Sequence, residues 1–417
     1  MKAPYSYTIR HLQLADNDPV TLPPGHESGW YLVFWWQEIA VGDLYLEPGE
    51  QPDEAVLWDK IATAIDATRQ VYAGTPADQV RPPARPLPER AELQTQLAAV
   101  LEPFQTTRLP AEVPVAVVIC TRNRAAQLRR CLHSLLNLSC RPAEIIVVDN
   151  APDDDSTARV AREFGRVTYC LEPRPGLDFA RNTGAQKATM PIVAYTDDDV
   201  VVASTWVYQL WQSFRDTQVA AMTGLVIASE LQTEAQLIFE KHWSFNRGYV
   251  DKIYDMAYFK RTLRQGPPVW EIGAGANMAF RRSVFDDVGF FDERLDVGAA
   301  GCNGDSEMWY RILARGHVIH YNPRAVAFHE HRRELAALRK QLFNYMRGFT
   351  AAALIQQQLY REAGYKRRLF RGLPLYYFWL YVWGFPKYGF RYRTLGVEVR
   401  GILSGLVYYL NHRQPVS

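Results

Sequence analysis

Three consecutive carboxylates, Asp197, Asp198 and Asp199, stand between two apolar stretches, 191–195 and 200–202. Adjacent carboxylates repel one another unless a cation neutralises them. Oxygen donors of this kind suit Mg²⁺ or Mn²⁺, which bind through one or two carboxylates together with substrate phosphates. Asp197 and Asp199 are therefore expected metal ligands. A solvated turn or helix cap is the competing reading, and the apolar flanks argue against it.

Five other places carry residues fit for chemistry. Thr121, Arg122, Asn123 and Arg124 open a helical stretch, where free N–H groups and guanidinium groups hold an anion, or where a simple cap ends in solvent. Asp149 closes an apolar run and can accept from a ribose hydroxyl or a base N–H, or make an Asx turn. Gly273, Ala274, Gly275 and Ala276 precede Asn277, and small residues let a ligand approach the backbone or a strand enter tightly. Asp305 and Glu307 stand at the start of a helix, as a general base at a crevice rim or as helix caps. His329 and His331 flank Glu330 after an apolar run. They are expected as metal or phosphate contacts, against a structural role.

The elements that position these groups follow from periodicity. Residues 113–120, 144–148, 167–171 and 191–195 are apolar runs of strand length, buried on both faces. Between them, 125–138, 156–164 and 180–188 have helical spacing, the second with Asp154 or Asp155 as its cap. Strands alternating with helices imply parallel βαβ units and a Rossmann-like α/β sheet. Ligands of such sheets bind beyond the carboxyl ends of the strands, so residues 121–124, 149–150 and 197–199 should converge on one crevice. No GxGxxG or GxxxxGK[ST] occurs, which removes the main support for a dinucleotide enzyme or a P-loop ATPase.

Around this core the chain divides into four expected parts. Residues 1–73 read as a small β-rich module, with strands at 5–12, 30–36 and 39–45, a turn at Gln37 and Glu38, and a helix over 53–72. Residues 74–110 hold Pro76, Pro82, Pro83, Pro86 and Pro88, an extended linker, and then a short helix over 91–101. Residues 111–331 form the catalytic part. Residues 332–417 form a helical, basic, aromatic-rich tail. Of the 47 Lys and Arg, 15 lie at or after Arg332, beside only three of the 45 Asp and Glu. A basic tail of this kind suggests an anionic partner. Lys366, Arg367, Arg368 and Arg371 precede Tyr376, Tyr377, Phe378 and Trp379, which suits peripheral contact with anionic lipid or, alternatively, a cap on the catalytic part.

The five cysteines show no CxxC pair, against a disulfide framework or a zinc site. Residues 1–10 lack the pattern of a signal peptide. The apolar run 373–385 is shorter than the roughly 18–20 residues a membrane span needs. A cytoplasmic protein, peripheral at the inner face of the membrane where the tail touches it, is expected. Nucleic acid is not among the expected partners.

In this order, the pieces resemble the family 2 glycosyltransferases with the GT-A fold, over about 113–331. Residues 115–124 resemble that family's opening strand and T-x-N-R turn. Residues 145–150 resemble its second strand with a nucleotide-contacting Asp. Residues 176–184, with Ala180, Arg181 and Asn182, resemble its A-R-N-x-G segment. Residues 195–200 resemble its D-x-D motif, 273–280 its acceptor-side segment, and 303–311 its E-D-x-E-x-x-x-R stretch. Departures are Gly304 in place of Glu, Asn150 in place of a second Asp, and Pro152 where D-G-S is usual. The Q-x-x-R-W motif of processive synthases is absent, so single-sugar transfer is implied.

The resemblance implies a GT-A (nucleotide-diphospho-sugar transferase) domain and an inverting transfer from a UDP-, GDP- or dTDP-linked donor to a hydroxyl, with lipid-linked acceptors in the range. It implies Asp305 as catalytic base and Mn²⁺ or Mg²⁺ on Asp197 and Asp199. It implies Thr121, Arg122, Asn123, Arg124, Asp149, Arg181, Asn182, Asp197 and Asp198 on the donor nucleotide, and Gly275, Ala276, Asn277 and Glu307 on the acceptor side. A sugar nucleotidyltransferase and a non-catalytic nucleotide-sugar binder are the alternatives.

Overall fold

The run from Gly29 to Trp36 has no polar residue, and both of its faces are buried. It is the middle strand, β2 (Gly29–Trp36), of a three-stranded sheet with β1 (Tyr7–Gln13) and β3 (Ile39–Leu46). Alternate side chains of a strand point to opposite faces. Trp30, Leu32, Phe34 and Trp36 accordingly pack with Leu57, Ile61 and Ile65 of α1 (Glu54–Tyr72) and with Leu93 and Leu97 of α2 (Arg90–Leu101). Tyr31, Val33 and Trp35 face the other way, into the core of the large sheet. Asp53 caps α1 by accepting from the Val56 N–H at 2.8 Å. Gln37, at φ 53°, turns β2 into β3. β1 runs parallel to β2, so the module is not a simple meander, and α2 packs into its core rather than standing apart beside the linker.

The computed structural model describes residues 6–17, 20, 22, 28–83, 85–106, 108–384 and 391–413. Tyr5 and Phe385, the ends of two expected segments, and the rest of 1–5 lie outside the described residues.

The large sheet contains β4 (Glu112–Thr121), β5 (Arg141–Asn150), β6 (Val167–Glu172), β7 (Ile192–Asp197), β8 (Val200–Val202), β9 (Val219–Ala228), β10 (Lys252–Tyr254), β11 (Asn277–Arg281) and β12 (Val318–His329). Its order is β10-β12-β9-β11-β7-β4-β5-β6, with β8 on β12. Helices α3 (Ala125–Leu136), α4 (Ser156–Glu163) and α5 (Leu177–Lys187) connect the parallel strands β4, β5, β6 and β7, as periodicity predicts. Asp154, not Asp155, accepts from the first-turn N–H of Ser156 at 2.8 Å. The second half departs from the parallel pattern. After α6 (Trp206–Ser213), α7 (Glu234–Trp243) and α8 (Met256–Leu263), strand β11 inserts antiparallel between β7 and β9. After α9 (Val284–Val288) and α10 (Gly304–Ala314), β12 returns parallel to β9. β11 follows a helix and is still antiparallel to both neighbours, so alternation of helix and strand did not reveal its direction.

The tail packs on the helices beside this sheet: α11 (Leu335–Leu359) lies against α7 and α10, and α14 (Tyr392–His412) against α11, with α12 (Tyr365–Arg367), a π-helical turn over Arg368–Gly372 and α13 (Leu373–Gly384) between them. Gly401 and Gly405 let α14 lie against the α11 backbone. A Cβ on either would fall 2.5 Å from the carbonyl oxygen of Phe343 or Arg347. Arg391 forms a buried ion pair with Glu398, and Tyr377 donates to the same carboxylate at 3.0 Å, which ties α13 to α14. No described helix is long and apolar enough to cross a membrane.

Candidate active site

The carboxyl ends of β4, β5 and β7 meet in register, Thr121 beside Asp149 and Cys120 beside Asp197. They floor a cavity of about 1620 Å³ whose other wall is built by the tail. Asp197, Asp198 and Asp199 line this cavity with Thr121, Arg122, Arg124, Arg181, Gly275, Ala276, Asp305 and His329. Groups from six segments of the sequence thus share one space.

The three aspartates are held differently. Asp198 is buried, accepts from the Thr121 hydroxyl at 2.7 Å and pairs with Arg124 at 2.5 Å. The other arm of Arg124 reaches Asp199 at 2.8 Å, and Arg332 stands 3.6 Å from the same carboxylate. β8 pairs with β12 so that Val200 faces His329, which puts His329 Nε2 3.5 Å from Asp199 Oδ1. Asp197, Asp199 and His329 each offer a ligand atom, and these lie within 4.8 Å of one another. Asp199 Oδ1 is buried with no hydrogen-bond partner.

Burial, and then the charge of Asp199, raise Asp197. Burial also raises Asp198, against the pull of Arg124. Asp199 is lowered, because His329, Arg124 and Arg332 outweigh its burial. Burial pushes His329 down to about 4, which leaves a neutral imidazole able to act as a ligand near pH 7. Crowded oxygens, one neutral ring nitrogen and an unsatisfied buried oxygen form a donor set that fits a divalent ion such as Mn²⁺ or Mg²⁺.

Asp305 stands in the first turn of α10, after Asn303 in the left-handed region at φ 78°. Burial raises its pKa, opposed by Arg181 and by the backbone N–H groups of Ser306, at 2.6 Å, and Gly275. A Cβ on Gly275 would fall 2.8 Å from an Arg181 nitrogen and 3.0 Å from Asp305 Oδ2, so glycine lets the β11 approach touch both groups. Arg181 is buried and donates to Asp178 at 2.9 Å and Asp296 at 2.6 Å. It is thus the counter-ion of an internal acidic cluster.

Several expected site residues stand elsewhere. Asp149 is fully buried and does not line the cavity; it accepts from the Tyr169 hydroxyl at 3.0 Å. Asn123 clasps Asp153 through two hydrogen bonds. Asn182 exchanges bonds with the backbone of Phe291. Asn277 donates to the carbonyls of Leu225 and Ala325 and accepts from the Trp206 indole. Glu307 pairs with Arg311 on the far side of α10. His331 is buried against Glu240 at 2.8 Å. Asn182 and Asn277 are thus spent on backbone groups, and Asn123, Glu307 and His331 on charged neighbours, a use that is invisible to a motif. Asp178, Asp296 and Arg332 were not anticipated. Only Asp178 carried a signal, the helical spacing of three to Arg181.

A mixed sheet with an acidic, histidine-assisted cluster at the carboxyl ends of its strands defines an α/β fold with a crevice at those ends. Residues 116–289 match the family model of glycosyl transferase family 2, and the mixed α/β sheet is GT-A-like. Among similar proteins is the pre-mycofactocin glycosyltransferase of Mycobacterium tuberculosis (strain CDC 1551 / Oshkosh), 27% identical over 54% of this chain and 44% of that protein. Another is the glucosyl-dolichyl phosphate glucuronosyltransferase of Haloferax volcanii, 24% identical over 43% of this chain and 56% of that one. The chain spans about half the length of these relatives. A solved mannosyltransferase of Pyrobaculum calidifontis, in complex with GDP-Man and Mn²⁺, is 18% identical with a TM-score of 0.47, covering 74% of this chain and 89% of that one.

Proposed function

We propose that the chain is a metal-dependent glycosyltransferase that moves one sugar from a nucleoside-diphosphate donor to a hydroxyl, with inversion. The observation that carries this reading is the sharing of one cavity by Asp305 and by the cluster of Asp197, Asp199 and His329. That cluster would hold the divalent ion, which when bound neutralises the negative charge of the departing diphosphate. Arg122, Arg124 and Arg332, all lining the cavity, supply donors for phosphate oxygens. Asp305 takes the proton of the acceptor hydroxyl as that oxygen attacks the anomeric carbon. The Ser306 and Gly275 N–H groups hold the Asp305 carboxylate, and the charge of Arg181 acts on it. Asp149, closed off beneath the cavity, would contact a base only after the β5 end rearranges. Thermal unfolding against UDP-, GDP- and dTDP-sugars tests the proposal. One donor should raise the melting temperature with Mn²⁺ and not with EDTA; no Mn²⁺-dependent rise with any donor would refute it.

We also propose that α13 rests on an anionic lipid surface. Tyr376, Phe378, Trp379, Tyr381 and Trp383 are 43–71% exposed, more aromatic surface than a helical cap on the domain would leave in water. Basic residues precede them, as suits anionic headgroups. Binding to phosphatidylglycerol vesicles should exceed binding to phosphatidylcholine vesicles and fall in Trp379→Ser/Trp383→Ser; equal binding by that variant would contradict it.

A further inference from the structure

The cavity has a second charged feature, remote in sequence from the aspartate cluster. Arg247 follows α7 and lines the cavity. Its guanidinium donates only to backbone carbonyls, Ser244 at 2.5 Å and Trp270 at 2.9 Å, and its Nε is buried with no partner. Arg368, from the tail, lies over the Trp270 ring at 4.5 Å and donates to the Gly266 carbonyl at 3.1 Å. It lines the same cavity. Among the described residues, neither guanidinium forms an ion pair with a carboxylate. By contrast, Arg122, Arg124, Arg181, Arg332 and Arg391, which line the same cavity, each pair with a carboxylate.

Two half-buried guanidinium groups meet at Trp270, one on its carbonyl and one over its indole. Glu271 pulls on both but forms an ion pair with neither, and such groups are costly unless an anion completes the arrangement. Burial lowers the pKa of both, against the pull of Glu271. Trp270 lies just before Gly273 and Gly275, the segment that reaches Asp305, so the pair belongs to the acceptor arm of the cavity. Fork-shaped donors beside an indole suit a tetrahedral oxyanion better than a neutral sugar.

We propose that Arg247 and Arg368, framing Trp270, form a phosphate subsite for an acceptor that carries a phosphate group. This rests on the glycosyltransferase reading and names the acceptor class that the reading leaves open. The phosphate comes either from a lipid headgroup or from a soluble phosphate ester.

The test is binding of inorganic phosphate and of farnesyl phosphate, followed by thermal shift and calorimetry in EDTA at matched ionic strength. EDTA removes ion-mediated binding at the aspartate cluster, and phosphate held there by Arg122, Arg124 or Arg332 would be indifferent to Arg368→Gln. Wild type should bind with a saturating curve, and Arg247→Gln and Arg368→Gln should each weaken binding at least tenfold. Farnesyl phosphate binding ten times tighter than phosphate indicates a lipid source, and equal binding a soluble one; both sustain the subsite. Arg247 also pins two backbone carbonyls, so Arg368→Gln carries the test should Arg247→Gln fail to fold. No saturable binding in wild type, or undiminished binding in Arg368→Gln, overturns the proposal. Mn²⁺-dependent stabilisation by a nucleotide-sugar, measured on the same variants, reports separately on the donor site.

Discussion

Gly304 packs against the carboxylate of Asp178 so closely that a Cβ at position 304 would fall 2.1 Å from Asp178 Oδ2. The family's Glu is missing before Asp305, and a carboxylate from α5 fills the neighbouring space. Asp178 is buried, and one of its oxygens pairs with Arg181, the residue that also sets the field on Asp305. Gly304→Ala should therefore displace Asp178 and cost about 1–3 kcal/mol of stability, the range for overpacking, with a fall in kcat. The paired change Asp178→Ala/Gly304→Glu restores one carboxylate to this space. It should recover part of both losses when unfolding and turnover are measured together; no recovery would separate Asp178 from the role assigned.

Asp305→Asn keeps the shape of the side chain and removes the base. The variant should unfold within a few degrees of wild type and keep Mn²⁺-dependent donor binding. Its kcat should drop by roughly 10²–10⁴, the range for a general base. Wild-type turnover would exclude Asp305 as the proton acceptor.

The N-terminal module is fastened through a second ionic network. Arg324 on β12 binds Asp251 with both arms at 2.6 Å, His320 bonds the same carboxylate at 2.8 Å, and Arg324 also reaches the Tyr72 hydroxyl of α1 at 3.3 Å. Burial opposes the charge of Asp251, yet His320 and Arg324 hold its pKa at about 2, below the ordinary 3.8. A carboxyl depressed in the folded state stabilises fully above its unfolded pKa and loses that contribution as pH falls. Wild type should therefore lose stability between about pH 4 and pH 2. Asp251→Asn should be less stable at pH 7 by about 2 kcal/mol, because it leaves Arg324 unpaired at a partly buried site. Its acid transition in urea titrations should be correspondingly flatter. An identical acid dependence in the variant would remove Asp251 from this account.

How far the sequence revealed the site depended on which bonds are local. Asp197 to Asp199 and Asp305 were legible because they sit at element ends, and the apolar strand before the aspartates fixes where they point. The pairing of His329 with Asp199 follows from the antiparallel register of β8 and β12, which a three-residue strand does not announce. Asn277 and Asn182 carried motif positions but spend their amides on backbone groups. The parallel strands were legible from their apolar runs; β11 was not, because its direction depends on the neighbours it enters between. Arg247 lies in a segment with no motif and Arg368 in a basic run read for lipid contact, and only folding brings both to Trp270.

The central claim is that Asp197, Asp199 and His329 grip one divalent ion, which in turn holds the donor diphosphate. Electron paramagnetic resonance of Mn²⁺ titrated into wild type and Asp199→Asn, each with and without the stabilising nucleotide-sugar, tests it most directly. The account predicts one bound ion per chain in wild type, held more tightly with donor present, and at least tenfold weaker binding in Asp199→Asn. Equal Mn²⁺ affinity in the two proteins, or bound Mn²⁺ indifferent to donor, would contradict it.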